Sequence, residues 1–210
     1  MQPDVIRNAI DCHCLVGARA TVPELTWPHW HRYQGATADK YATVDAGRIP
    51  AGVMRAIHQM ADRLERLLPA GSFWDLDLHG AGIHVLPAGG FLSRHLDAAM
   101  HPIRPWVRTT SAVLFLNRLE GPEPGGELCL EQSGLVVPPE ANTAVVFDTA
   151  EEWHWVNRTA ATAGDRITLA LFGWRPAMPY EREAGRPARA TFRERAVEVP
   201  MGENAASVDF

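Results

Sequence analysis

GDRITLALFGW, residues Gly164 to Trp174, is the stretch whose reading decides the fold. In an extended strand its side chains leave alternate faces. Arg166, Thr168, Ala170, Phe172 and Trp174 share one face, and Ile167, Leu169 and Leu171 share the other. Both faces are mainly apolar, so the strand belongs in the middle of a sheet that is covered on both sides. An arginine inside such a strand is costly unless an anion meets it. The planar guanidinium matches a carboxylate through two parallel hydrogen bonds, and the Thr168 hydroxyl can add a third from the same side. Two partners are open at this point: a carboxylate ligand, or a structural pair with Asp148 or Asp165.

Upstream of this strand lie more short β-like runs separated by turns: DLHGAGIHVL, TTSAVLFLN, ELCLEQ, TAVVFD and HWVN, with PAGG and GPEPGG among the turns. Before them, Val53, Met54, Ile57, Met60, Ala61, Leu64, Leu67 and Leu68 recur at helical spacing, with charged residues on the opposite face. Pro50 suits the first turn of that helix, and Pro69 and Gly71 its end. Many short strands after one helix predict a mainly β chain with a flanking helix, a jelly roll or sandwich. The expected organisation is a single domain over 1–210. Residues 1–49 form irregular cover with one or two strands, 50–69 a supporting helix, 72–175 the jelly-roll core and 176–210 a tail or lid, with a weak strand signal near Thr191 to Val199.

Composition narrows the function. A net charge of −5 with scattered basic residues gives no basic stripe, so nucleic acid is not an expected partner. Nor is a membrane, because no stretch approaches spanning length. The first twenty residues carry charges where a secretory signal needs an apolar run, and three cysteines make no disulfide framework, so a soluble cytoplasmic protein is expected. Oligomeric state is not legible.

In GGFLSRHLDAAMHP, His95 and Asp97 are one residue apart, so in extended chain both side chains leave the same face and can close on one ion. The bland alternative is a surface turn capped by the aspartate. A carboxylate beside imidazoles suits iron(II), and two histidines with one carboxylate leave three coordination positions open. His154, 59 residues downstream at the start of a short apolar run, is the candidate third ligand; otherwise it is an interior histidine bonded to a carbonyl.

Taken in order, GGFLSRHLD, the TTSAVLFLN strand, the GGEL turn at Gly125 to Leu128, and HWVNRTAATAGDRIT with Arg166 twelve residues after His154 resemble the iron(II) and 2-oxoglutarate dependent dioxygenase superfamily. The likeness is to its prolyl-hydroxylase-like branch and covers roughly Ile83 to Trp174. It implies a double-stranded β-helix with Fe(II) on His95, Asp97 and His154, and with Arg166 and Thr168 at the distal carboxylate of 2-oxoglutarate. It also implies O2 as oxidant, with succinate and CO2 released and a C–H bond of a small molecule or an amino-acid or peptidyl side chain hydroxylated. Many relatives carry a tyrosine about nine residues before the first metal histidine, where this chain has Leu86. Asn117, Thr109 and Ser111 are the candidates to complete the co-substrate pocket in its place.

Trp106, Trp153, Trp155 and His101 flank these motifs and are candidate substrate contacts; His101, before Pro102, is expected at the surface or facing substrate rather than on a metal. Trp27, Trp30 and Tyr33 either line the mouth of the site or cover the sandwich. Cys12, His13 and Cys14, with His29 and His31, do not match a structural-zinc spacing and are expected as ordinary thiols and surface histidines. Two other functions remain open: a cupin-type metal enzyme that does not use 2-oxoglutarate, and a jelly-roll binding module without turnover.

Overall fold

A computed structural model describes residues 2–43, 46–79, 81–97, 99–183 and 191–192. The strands are β1 (Asp4–Arg7), β2 (Trp30–Gln34), β3 (Ala38–Thr43), β4 (Phe73–Trp74), β5 (Gly82–Leu86), β6 (Phe91–Leu96), β7 (Trp106–Phe115), β8 (Leu128–Leu130), β9 (Leu135–Val137), β10 (Thr143–Asp148), β11 (His154–Val156), β12 (Arg166–Pro176) and β13 (Thr191–Phe192). The helices are α1 (Cys12–Thr21), α2 (Ala51–Leu64) and α3 (Pro179–Glu183), with single 3-10 turns at Ala46–Arg48 and Glu65–Leu67. Among the described residues no helix is long and apolar enough to cross a membrane.

All the strands join one antiparallel sheet, whose main path runs β1-β10-β7-β12-β5-β3-β6-β11-β8-β9. Its spine is the long ladder between β7 and β12, from Thr168 opposite Phe115 to Pro176 opposite Trp106. Strict alternation divides each central strand. Ile83 and Val85, Ala112 and Leu114, Ala144 and Val146, and Leu169 and Leu171 turn outward and form one core with Val53, Ala56, Ile57, Met60 and Leu64 of α2. The interleaved residues Leu86, Phe115, Val145 and Phe147 turn the other way and pack against Leu128, Leu130, Val137 and Val156 from the far end of the path. Strands at opposite ends of one sheet share that second core only because the sheet curls over on itself. This is the double-stranded β-helix, with an inner chamber between its two halves.

Helix α2 sits where its periodicity places it, its last turn tightening at Glu65–Leu67 before Pro69. It crosses α1 closely: a Cβ on Gly52 would lie 2.7 Å from the Gly17 carbonyl, so only glycine fits there. Asp11 fixes the pair further by accepting from Gln59 and Arg63 on α2.

The first 49 residues are not the irregular cover expected of them. Ala9, Ile10, Leu15 and Ala18 enter the outer core, and β3 lies inside the sheet, pairing with β5 at Tyr41–Val85 and with β6 at Asp39–Phe91. Short apolar pieces broken by proline and glycine hid a helix of ten residues, whose pattern is weak because only Leu15 and Ala18 on it are buried. Beyond β12 the chain forms the short α3, held by Glu181, which accepts from Arg175 through two bonds of 2.7 Å. It then returns as β13 beside β6. The rest of the expected tail lies outside the described residues.

The outer core depends on α2 being seated. Ile57→Ala, at a fully buried position, should destabilise the protein by about 2–5 kcal/mol. A urea unfolding curve should show this as a lower midpoint with an unchanged slope, and a midpoint equal to the parent's would contradict the packing described.

Candidate metal centre and co-substrate pocket

Strand β6 ends one residue before Asp97, and β11 begins at His154. The two strands run antiparallel with His154 directly opposite His95, so backbone pairing brings the distant histidine to the adjacent pair. The ring centroids lie 4.0 Å apart. The carboxylate of Asp97 stands between the imidazoles, 3.6 Å from His95 Nε2 and 3.5 Å from His154 Nε2. Each imidazole is fixed in the same way, by Nδ1 donating to the carbonyl two residues earlier: His95 to Ser93 at 2.8 Å and His154 to Glu152 at 3.1 Å. A carbonyl only accepts, so the ring proton is on Nδ1 and the Nε2 lone pair faces Asp97. Two imidazole nitrogens and one carboxylate oxygen, all within 4.8 Å of one another, form a donor set that suits iron(II).

The aspartate is held as firmly as the histidines. Ser111, on the inner face of β7, donates to Asp97 Oδ2 at 2.8 Å, and Arg108 Nη1 donates to the Asp97 carbonyl at 3.0 Å. The Arg108 guanidinium carbon lies over the Phe172 ring, 3.7 Å from its centroid. Burial alone would raise the Asp97 carboxyl, but His154, His95, Arg108 and the Ser111 hydroxyl together hold it well below the usual carboxylate range. Burial and then the neighbouring His154 hold His95 well below the ordinary imidazole range, so it is neutral and free to coordinate.

Arg166 opens β12 at 2% exposure. Its Nε donates to the Gly126 carbonyl at 2.8 Å, while its Nη2 is buried with no partner. Burial pulls the guanidinium down to about 9, against the opposing field of Glu127. The structural pairing is not made: Asp148 accepts from the backbone of Ala150 and Glu151, and Asp165 from that of Ala88. The GGEL turn explains the cradle. Gly126 has φ +73, and a Cβ there would press on Arg166 Cδ at 3.1 Å, so glycine lets the arginine lie against the turn. An unmet buried guanidinium nitrogen on the chamber face is the feature a carboxylate would satisfy, and the residues present fit a dicarboxylate co-substrate. Thr168, on the same face, donates to the His84 carbonyl at a long 3.4 Å.

The other candidates distribute differently. Ser111 is in the site, but its bond goes to the metal-side carboxylate. Asn117 is occupied by the backbone of β12, donating to Asp165 O and accepting from Ile167 N, so it closes a strand end. Thr109 bonds to Ser72 and the Gly173 carbonyl, away from Arg166. Trp153 and Trp155 flank His154 on the strand and therefore turn outward, where Trp153 stacks with Arg94 and Trp155 bonds to Asn157. Trp106 packs on Phe73 beside the outer core.

His101 is neither at the surface nor shown facing a substrate: its side chain is wholly buried beside Asp75 and His79, with its Nε2 3.7 Å from Asp75 Oδ2. These three could gather around an ion by distance. However, the Nδ1 of His101 accepts from two backbone N–H groups, Ile103 at 3.2 Å and Arg104 at 3.0 Å. Its proton is therefore on Nε2, and no lone pair faces Asp75. Among the described residues no metal cluster includes the cysteines, His13, His29 or His31. Two residues of the chamber carried no sequence signal: Arg108, and Lys40 on β3, whose ammonium is set in the fields of Asp97 and Arg166.

Residues 81–174 match the family model of the 2OG-Fe(II) oxygenase superfamily. No match was found among curated protein sequences. Among solved structures, a prolyl-4-hydroxylase from Pseudomonas putida is similar at 23% identity and a TM-score of 0.60, over 84% of this chain and 93% of that one. A prolyl hydroxylase from Trichoplax adhaerens, in complex with a hypoxia inducible factor peptide fragment, aligns at 17% identity and 0.62, over 87% and 86%. HygX from Streptomyces hygroscopicus, with nickel and 2-oxoglutarate bound, aligns at 14% and 0.53, over 83% of each chain. At these identities the structures establish the shared fold.

Because the neutral forms of His95 and His101 are held by burial, the unfolded chain binds more protons than the folded one once pH falls below the ordinary imidazole value of about 6.5. Stability of the metal-free protein should therefore fall as pH drops from 7.5 to 5. Thermal unfolding across that range checks it, and a flat profile would contradict the assignment.

Proposed function

We propose that His95, Asp97 and His154 hold iron(II), that Arg166 holds the distal carboxylate of 2-oxoglutarate, and that the enzyme hydroxylates a C–H bond of a small molecule or an amino-acid side chain. The observation that carries the reading is the orphaned Arg166 Nη2, buried on the same inner face that bears the triad. A cupin-type enzyme without 2-oxoglutarate would have no use for that cation. When bound, the iron and co-substrate supply the oxidising chemistry, with succinate and CO2 as the co-products.

The chain's own residues supply position and dryness. The Ser93 and Glu152 carbonyls fix both imidazoles in the coordinating tautomer. Ser111 holds the Asp97 carboxylate and Arg108 its backbone carbonyl, so the side chain would meet an ion already oriented. The apolar inner core around Leu86, Phe115 and Phe147 walls the chamber and keeps water away from the reacting groups. As to substrate, one structural relative is bound to a peptide fragment, and this supports a side chain of a peptide as readily as a free small molecule. A substrate-library screen for succinate release decides between them.

His95→Ala, Asp97→Ala and His154→Ala should each abolish succinate formation and weaken metal binding, while most of the fold survives. Anaerobic titration with iron and 2-oxoglutarate reads this as loss of the visible charge-transfer band, and a band of full intensity in all three variants would falsify the metal assignment.

Arg166→Ala should raise the co-substrate requirement by about 30-fold to several thousand-fold, the equivalent of roughly 2–5 kcal/mol, with metal binding near normal. Arg166→Lys should recover part of the loss, because an ammonium cannot reproduce the planar fork. If Arg166→Ala instead lowered only the melting temperature and left co-substrate affinity intact, the arginine would be structural.

A further inference from the structure

Lys40 is the only lysine in the chain. It lies on β3 where that strand leaves its pairing with β5 for β6: Tyr41 is opposite Val85, and Asp39 is opposite Phe91. Tyr41 and Val85 both contribute to the outer core, so the alternation turns Lys40 to the inner side together with Leu86. On the other side of β5, Arg166 is the direct partner of Leu86. Three adjacent strands thus bring Lys40, Leu86 and Arg166 to one row of the chamber wall, with a cation at each end.

The ammonium of Lys40 stands over the ring of Tyr33, 5.2 Å from its centroid. Among the described residues no carboxylate lies within ion-pair distance of it. The field of Asp97 attracts it and that of Arg166 repels it. Burial brings it down to about 8. Arg166, with an unpartnered buried nitrogen, and the half-buried Lys40 share one row of the wall, and an anion from outside that met both would satisfy them. The space between the triad and Arg166 is where a 2-oxo dicarboxylate must lie if it is to touch both.

We propose that Lys40 is a second anchor for the co-substrate, its ammonium meeting a carboxylate of 2-oxoglutarate from β3 while Arg166 meets the distal carboxylate from β12. This rests on the reading of Arg166 given above. Lys40 is a binding residue and carries no proton in the reaction.

The test is the affinity of 2-oxoglutarate for the full chain loaded with manganese(II) in place of iron, measured by titration calorimetry without turnover. Lys40→Met, which keeps the length of the stem and removes the charge, should weaken binding by roughly 10-fold to 100-fold, and Lys40→Arg should keep most of it. Manganese affinity should be unchanged in both. Parent-like 2-oxoglutarate affinity in Lys40→Met, with Arg166→Ala impaired, would overturn the assignment of Lys40 alone and leave its ammonium to a carboxylate of the primary substrate. A parent protein that does not bind 2-oxoglutarate would overturn both readings. Should Lys40→Met fail to fold, the solitary lysine allows the unmutated protein to be used. Acetylation at Lys40, read by mass spectrometry against the amino terminus, should slow when manganese and 2-oxoglutarate are present, and a rate unaffected by the ligand would overturn the proposal.

Discussion

The pairing of His154 with His95 across β6 and β11 is the constraint on which the site depends. It is a backbone register, so the distance between the imidazoles is set by the ladder before any metal arrives. A slip of one residue would turn His154 outward and present Trp153 or Trp155 in its place. The inner core makes such a slip expensive, because Val156 and Leu92 pack against Leu128, Leu130 and Phe147 and would be expelled with it. The preorganisation of the centre is thus a property of apolar packing several residues away from the ligands.

The chamber is also a place where charge has been buried ahead of its partners. Arg166 retains one unmet nitrogen, Arg108 another, and Lys40 is short of a carboxylate. A carboxylate that met these groups would be favoured over a neutral molecule of the same shape. Aromatic faces reduce the cost in the interval: Phe172 under Arg108, Phe115 under Arg166 and Tyr33 under Lys40.

The cluster of His95, Asp97 and His154 and the buried Arg166 were legible because their signals are local. His95 and Asp97 sit two apart on a strand, and Arg166 interrupts an apolar run in which a charge has no other reason to be. The curl of the sheet was legible from the number and brevity of the strands. Lys40 and Arg108 were not, since an isolated basic residue in a polar segment looks like a solvated one until the fold shows which way it points. The tryptophans beside His154 misled for the opposite reason. Adjacency in sequence suggested adjacency in space, whereas on a strand the neighbours of an inward residue face outward. The N-terminal third was undervalued because β3 is short, and its place inside the sheet is decided by strands that come far later in the chain.

Strand β6, which carries His95, is bordered by β3, by β11 and by β13, and these lie before it, 59 residues after His95, and later still. During synthesis His95 and Asp97 leave the ribosome together, while His154 follows after roughly 3 to 12 seconds at ordinary elongation rates. Through that interval the nascent chain offers a bidentate site only, with the neighbouring edge of its strand unfilled. Tridentate binding begins when β11 docks. Metal selection therefore belongs to the finished protein, in exchange with the ions around it, and not to the growing chain.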